Sequence, residues 1–446
     1  METTTTSAPP ASLTAHLTQT SHTQTSHSSH DAAHTPPDGV HLGREHVKWG
    51  PEVWDRLDRA VHHEAHRARI AAKFLPHHRV DPHITTVQAD QLLTTPSSSG
   101  TSSGTPAPVI GISILSAAAA TGGSLAVPLS IDEGSFIRLI EIWTEFNLTP
   151  AQVQEEAKAH QGHKEPAGRH PAHEGHGGDH GHSGHSGHDH RHHHHPCSTA
   201  VTLARRAANT LSLAQDTIIF QGMNAFYGPG SGPNATTFPS LGSKLLIAPT
   251  STSTAASALV QFRGQPLDGG LLCAGGNFAS GTGNPMTAGG VIQVQQSSTT
   301  PIGYGQNTVA AVDAAYALLA SSGYAGPYVT VLHFYPHADS LTPVPPATLV
   351  MPADRIKPLM EAGYHPSSVI GGTFPLKATP TSGTTPVQAY GLVMSIGGNT
   401  VDLVNGLNPV TAFSQVDPTG NFTFRVLTRF ALRIKDPLAI VRLEFL

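Results

Sequence analysis

Residues 198–222, STAVTLARRAANTLSLAQDTIIFQG, predict one long helix around which the chain is organised. Ser198 is a good N-cap just past the stop signal of Pro196, because its hydroxyl can take a free N–H of the first turn. Ala204, Ala207, Ala208, Leu211, Ala214 and Ile218 recur at helical spacing and form one apolar stripe. Arg205, Arg206, Asn209 and Asp216 fall largely outside it. Gly222 supplies the left-handed residue that commonly closes a helix. Alanines dominate the stripe, so whatever packs on it comes close. Taken alone this is an ordinary core helix. Its setting is less ordinary: an extended arm precedes it and a long β-rich segment follows.

The totals limit what that setting can be. The chain has 446 residues, room for two or three domains, but only 12% are charged, and Gly (44) and Pro (36) are abundant. A net charge of −5 with His neutral argues against general nucleic-acid binding, which needs a basic surface. The 30 His would reverse that sign below about pH 6.5. Two cysteines, Cys197 and Cys273, make no disulfide framework, so a reducing cytoplasm is the simpler setting. The N-terminus METTTTSAPPASLTAH lacks the basic and apolar regions of a secretory signal. The most apolar window, 109–120, falls short of the roughly 20 residues that span a bilayer.

Outward from the central helix, residues 1–40 read as a disordered tail. Gly50-Pro51 opens an amphipathic helix running toward Pro76, with Trp54, Leu57, Val61, Ala65, Ala68 and Ala72 on its apolar face. Ser135–Leu148 predicts a strand with Phe136, Ile140, Ile142, Phe146 and Leu148 on one face and Glu141, Trp143 and Glu145 on the other. Such a strand cannot stand as an isolated ribbon and must pair within the chain or with another copy. Residues 159–195 hold 14 His among Gly, Ser, Asp and Pro and read as a flexible loop. After the central helix, short strands are expected at 243–247, 258–262, 270–273 and 291–295. A second helix is expected over 308–321, then a strand at 328–332 and a short helix at 353–362. Strands 388–395 and 400–404 flank Gly397-Gly398, a hairpin signal. The alternation of 421–434 gives the clearest strand, and Lys435-Asp436-Pro437 turns it back as a closing hairpin over 438–446.

This order resembles the encapsulin family, the nanocompartment shell proteins once described as linocin-type bacteriocins, which share the major-capsid fold of tailed phages. The matching stretches are EVWDRLDRAVHHEA at 52–65, FIRLIEIWTEFNLT at 136–149 and IIFQG at 218–222. LDGGLL at 267–272, SGYAGPYVTVL at 322–332, VDLVNGLNPVTAF from 401 and FRVLTRFALRIKDPLAIVRLEFL to 446 complete the set. The resemblance implies an α+β fold. Its parts are a tail (1–40), an N-terminal helix arm (41–83), an extended loop (84–150) and a His-rich insertion (151–197). A peripheral domain with its spine helix (198–322), an axial domain (323–410) and closing peripheral strands (411–446) follow. It also implies a shell of many copies, without catalysis, holding a cargo enzyme of ferritin-like, peroxidase or hemerythrin type by a C-terminal targeting peptide. On that reading Trp54, Leu57, Val61, Ile70 and Leu75 help form the cargo groove, or else hold the helix to its own shell. Some encapsulins bind flavin at a Trp just past the extended loop. Thr149-Pro150-Ala151 stand there in this chain, which argues against flavin.

The remaining chemistry lies in histidines. His180, His182, His185, His188, His190, His192, His193, His194 and His195 can ligate Zn, Ni, Cu or Co as neutral imidazoles. Nothing in that run fixes a catalytic geometry. Solubilising the loop is the plainer role, and a response to acid is another. His333, His337 and Asp339 have ligand-like spacing after a strand, though a turn with exposed His is the plainer account of them. Two other functions stay open: a prophage major capsid protein enclosing DNA, and a small metal-binding protein built on the His run.

Overall fold

The computed structural model describes residues 42–93, 130–132, 134–161, 198–222, 247–249, 259–264, 270–274, 287–288, 291–296, 303–343, 350–371 and 389–446. The expected long helix is present as α3 (Thr199–Gln221), after α1 (Pro51–Ala68) and α2 (Pro150–Gln161). Ser198 caps α3 by accepting from the Val201 N–H at 3.2 Å, and Gly222 ends it at φ 59°. The alanine stripe is buried throughout.

One six-stranded sheet lies against α3. Its order is β1 (His77–Arg79), β14 (Val401–Val416), β15 (Phe422–Ile434), β6 (Ile140–Leu148), β8 (Val260–Arg263) and β7 (Ile247–Pro249). Along β15 the side chains alternate as the sequence predicts. Phe424, Val426, Phe430 and Leu432 enter the main core with α1 and α3. Arg425, Leu427, Arg429, Ala431 and Arg433 take the opposite face. Trp49 stacks on Phe424 with ring centroids 4.9 Å apart, and Phe146 stacks on the same ring at 5.5 Å. These contacts fasten the segment before α1 to β15 and β6. Aromatic pairs of this kind contribute about 0.5–1.5 kcal/mol beyond their burial.

A second six-stranded sheet has the order β12 (Gly363–Ser367), β11 (Tyr328–His333), β13 (Ala389–Ser395), β16 (Ile440–Phe445), β10 (Val291–Val294) and β9 (Thr287–Ala288). A helix α5 (Gly305–Ser321) buries Val309, Val312, Ala315 and Leu319 in the core of this sheet. Shorter helices α4 (Gly270–Ala274), α6 (Phe334–Ser340) and α7 (Pro352–Ile356) complete the described elements.

Several expectations change. The final strand β16 does not fold back along β15 as a hairpin. It crosses to the second sheet, parallel to β10 and antiparallel to β13. Likewise β13 and β14 are no hairpin, because they belong to different sheets. Both crossings are tied at one point, where the Lys435 and Asp436 N–H groups donate to the Thr400 carbonyl at 2.8 and 3.0 Å. Residues 270–273 form α4, not a strand. Leu271 and Leu272 are buried there beside the end of α3, and a short apolar run fits either structure. The stretch after Thr149 opens as α2 because Thr149 and Gln152 make a reciprocal cap: Gln152 N–H donates to the Thr149 hydroxyl and Thr149 N–H to the Gln152 side chain. The α1 helix stops at Ala68, short of Pro76, because Asp216 of α3 captures the next amides. Ile70 N–H and Ala71 N–H donate to its carboxylate at 2.6 and 3.1 Å. Asp216 is therefore buried, not on a solvent face.

Two ionic knots complete the packing around α1. Asp58 is buried beneath it, paired with Arg44 at 2.6 Å and accepting from the Thr411 N–H of β14. Glu156 of α2 is also buried. It pairs with Arg56 of α1 and accepts from the Ala200 N–H in the first turn of α3 at 3.4 Å. Glu156 thus joins three helices at the place where α2 leaves and α3 begins.

Candidate functional site

The extended arm is a two-stranded ribbon. In it β2 (Thr86–Gln88) pairs with β5 (Phe136–Arg138), and β3 (Gln91–Leu93) pairs with β4 (Ser130–Asp132). The predicted strand 135–148 is thus broken at Leu139, between β5 in the ribbon and β6 in the sheet. That break overturns the expected position of Phe136. It leaves the apolar face of β6 and stands 68% exposed. Ile131 is 51% exposed farther along the same ribbon, and Ile84 at its start is 39% exposed. Exposed single apolar residues are ordinary on a protein surface. Three on a two-stranded ribbon are not, since such a ribbon has too little apolar contact to be stable alone.

The other face of the ribbon is tied to its own subunit. Val87 and Ile137 pack with Val80 against a small buried cluster of Leu139, Val404 and Ala431. Gly406 makes room for Leu139: a Cβ on it would come within 2.5 Å of a Leu139 methyl. Arginines of β15 flank this cluster on either side of Ala431. Arg429 donates to the Pro82 carbonyl at 2.6 Å and pairs with Glu141. Arg433 is nearly buried; it bonds both oxygens of Asp402, and its third nitrogen reaches Asp90 at 2.7 Å and the Gln88 carbonyl at 3.3 Å. Burial alone would push the Asp402 carboxyl up, but Arg433 and Lys435 outweigh it and hold the group below the usual carboxylate range. An open cleft of about 600 Å³ lies beside this network, bordered by His77, His78, Asp90 and Lys435.

Four of the five residues expected to take part in a cargo groove are buried in the subunit's own core. Leu57 and Val61 have no exposed surface, and Trp54 and Leu75 nearly none. Ile70 is half-buried at the turn held by Asp216. Their observed contacts hold α1 to its own subunit, because α1 lies directly on α3 and β14. A peptide reaching Leu57 or Val61 would have to lift the helix. The polar side of α1 carries Glu52, Asp55, Arg59, His63, His66 and Arg67 in exposed positions.

His180 to His195 lie outside the described residues, as does Cys197. Among the described residues no three His, Cys, Asp or Glu side chains gather as a metal site. His333 does not sit in an exposed turn. It is fully buried at the end of β11, and burial pushes its imidazole down to about 4. His337 stacks on Tyr364 at 4.7 Å, while Asp339 accepts from the Tyr304 N–H at 3.0 Å, so the three residues face different partners. No described helix is long and apolar enough to cross a membrane.

The ribbon clamp and the buried acids Asp58, Glu156 and Asp216 escaped sequence reasoning. Only the alternation of arginines along β15 hinted at the clamp, and nothing local indicated their partners.

The parts occur in the order expected of a tailed-phage major-capsid fold: helix arm, ribbon, long helix across a sheet, second sheet, closing strands. In fold the chain is similar to a virus-like particle from Pyrococcus furiosus, with 11% identity, a TM-score of 0.43, and coverage of 88% of this chain and 100% of that one. It is also similar to the SrpI encapsulin complex of Synechococcus elongatus, with 10% identity, a TM-score of 0.36 and coverage of 84% and 86%. The mature capsid of bacteriophage PhiM1 gives 10% identity, a TM-score of 0.38 and coverage of 84% and 87%. No protein-family model and no curated protein sequence matches the chain.

Proposed function

We propose that the protein is a shell subunit of the encapsulin kind. Many copies join through their ribbons into a closed hollow particle that holds a cargo protein. The observation that carries this reading is the ribbon itself, with Phe136 and Ile131 exposed on two strands that lack a covering layer among the described residues. Burying such a surface against a second copy supplies about 25 cal/mol per Å² of apolar area. The job is physical: the wall retains its contents and passes small solutes. A ferritin-like, peroxidase or hemerythrin-type cargo enzyme carried by a targeting peptide fits the reading, with the helix arm toward the inside. The acidic net charge of −5 favours a protein load over DNA.

Size-exclusion chromatography and electron microscopy of the purified full chain test the reading. Hollow particles of uniform size are expected, with protein inside by mass spectrometry. A stable monomer at micromolar concentration would refute it. Particles filled with DNA would assign the chain to a phage capsid instead.

A further inference from the structure

The register of the ribbon shifts by one residue along its length. Val87 pairs with Ile137, but Leu92 pairs with Ile131, so between Gln88 and Gln91 on one strand and Phe136 and Asp132 on the other an extra residue is taken up. That is a β-bulge, which kinks and twists a strand pair. Ala89 N–H still donates to the Ser135 carbonyl at 2.8 Å across it. Opposite the bulge, Asp90 adopts φ 51°, a left-handed conformation that Asp and Asn tolerate better than most residues. The irregularity is therefore confined to one place, and Asp90 stands in it.

Arg433 holds that place. Its guanidinium is fixed on one side by both oxygens of Asp402, which leaves a nitrogen aimed at the Asp90 carboxylate and the Gln88 carbonyl. A planar fork already locked by one carboxylate loses little freedom in binding a second. Arg429 does the same at the root, through Pro82. The ribbon is thus pinned to β15 at residue 82 and again at residues 88–90. Asp90 carries the ion pair that joins the described ribbon to β15.

We propose that the Asp90–Arg433 pair is a latch that sets the angle at which the ribbon leaves the subunit. That angle makes every copy meet its neighbour in the same geometry. The inference rests on the reading of the chain as a shell subunit. A closed particle forms only when the same contact geometries recur from copy to copy, and an arm free to swing offers many. A bare two-stranded ribbon cannot fix its own direction. Asp90 and Arg433 are positioning residues, acting on the ribbon and not on any load.

The test uses the full chain with Asp90→Asn, which keeps the shape and the left-handed backbone but removes the charge, and Asp90→Gly, which keeps the backbone freedom and removes the acceptor. Amide hydrogen exchange at 86–93 is compared with that of β13, and particle diameters are measured by electron microscopy. Exchange in the ribbon is expected to rise about tenfold in Asp90→Gly and less in Asp90→Asn, with β13 unchanged. Particle diameters are expected to spread in the same order. Unchanged ribbon exchange in both variants overturns the latch. A loosened ribbon with particles of wild-type uniformity overturns its role in assembly geometry. If the unmodified chain forms no particles, the shell reading fails, and the exchange comparison still decides whether the latch exists.

Discussion

Asp216 offers a sharp test of the packing around α1. Its carboxyl is fully buried, and burial pushes it up from 3.8 to about 7, against the opposing pull of the Ile70 and Ala71 amides, Arg69 and Lys73. In the unfolded chain the same group titrates near its ordinary value. Between about pH 4 and 7 it is thus protonated when folded and ionised when unfolded. Unfolding then releases one proton, so stability falls by about 1.4 kcal/mol per pH unit as pH rises through that window. The raised group's contribution is fully present below pH 4 and lost above about 7, a swing of about 4 kcal/mol from the shift of 3.8 to about 7. Asp216→Asn cannot titrate. One of the two amides loses its acceptor, an offset of about 1–3 kcal/mol that is the same at every pH. Urea unfolding followed by the fluorescence of Trp49, Trp54 and Trp143, at one protein concentration and at pH 4.5 to 8, yields both curves. Their difference should narrow or reverse with rising pH and then level off near pH 7. Parallel curves across the range would refute the assignment of a buried, titrating carboxyl to this position.

Phe136→Asp should abolish particle formation while leaving subunit stability within about 0.5 kcal/mol, since the side chain is largely exposed. Chromatography paired with thermal melting separates the two effects. Leu57→Ala, at a site with no exposed surface, should cost about 2–5 kcal/mol by opening a cavity between α1 and α3. If the variant unfolds at the wild-type urea midpoint, Leu57 does not anchor α1. His333 contributes with the opposite pH sign to Asp216. Its folded value near 4 lies below the ordinary 6.5, so its stability contribution is present above 6.5 and is lost as pH falls toward 4. His333→Asn should therefore flatten the acid side of the stability profile in urea melts, while keeping a side-chain acceptor for the Tyr335 amide.

The elements most readable in the sequence are those whose pattern is local. Ser198, the alanine stripe and Gly222 define α3 almost to the residue, and the Phe/Arg alternation defines β15. Where reading failed, the deciding partner was far away or a local rule was overruled. The NGLNP run at 405–409 looks like the end of a strand. Instead β14 continues through it with register shifts at Asn405/Leu407 and Leu407/Val410. β12 hides in GYHPS because its proline sits on an edge strand, where a missing N–H costs little. The destination of β16 is written in β10 and β13, not in its own residues. α2 was legible through Thr149 and Gln152, but the histidines beyond it dominate the composition. In the candidate site, apolar character identified the ribbon and α1. It did not reveal which side of either would be covered by its own subunit.

The knot at Glu156 has a practical consequence. Ala200 binds its carboxylate directly, and Gln161 lies only five residues farther along α2, about 7.5 Å of helix. The 36 residues from 162 to 197 therefore begin and finish at nearly one spot. Lengthening such a connection twofold costs only about 0.6 kcal/mol in closure entropy. That makes the junction a natural graft point: a reporter peptide or a small foreign domain could be spliced between α2 and α3, displayed once per subunit, without redesigning the scaffold.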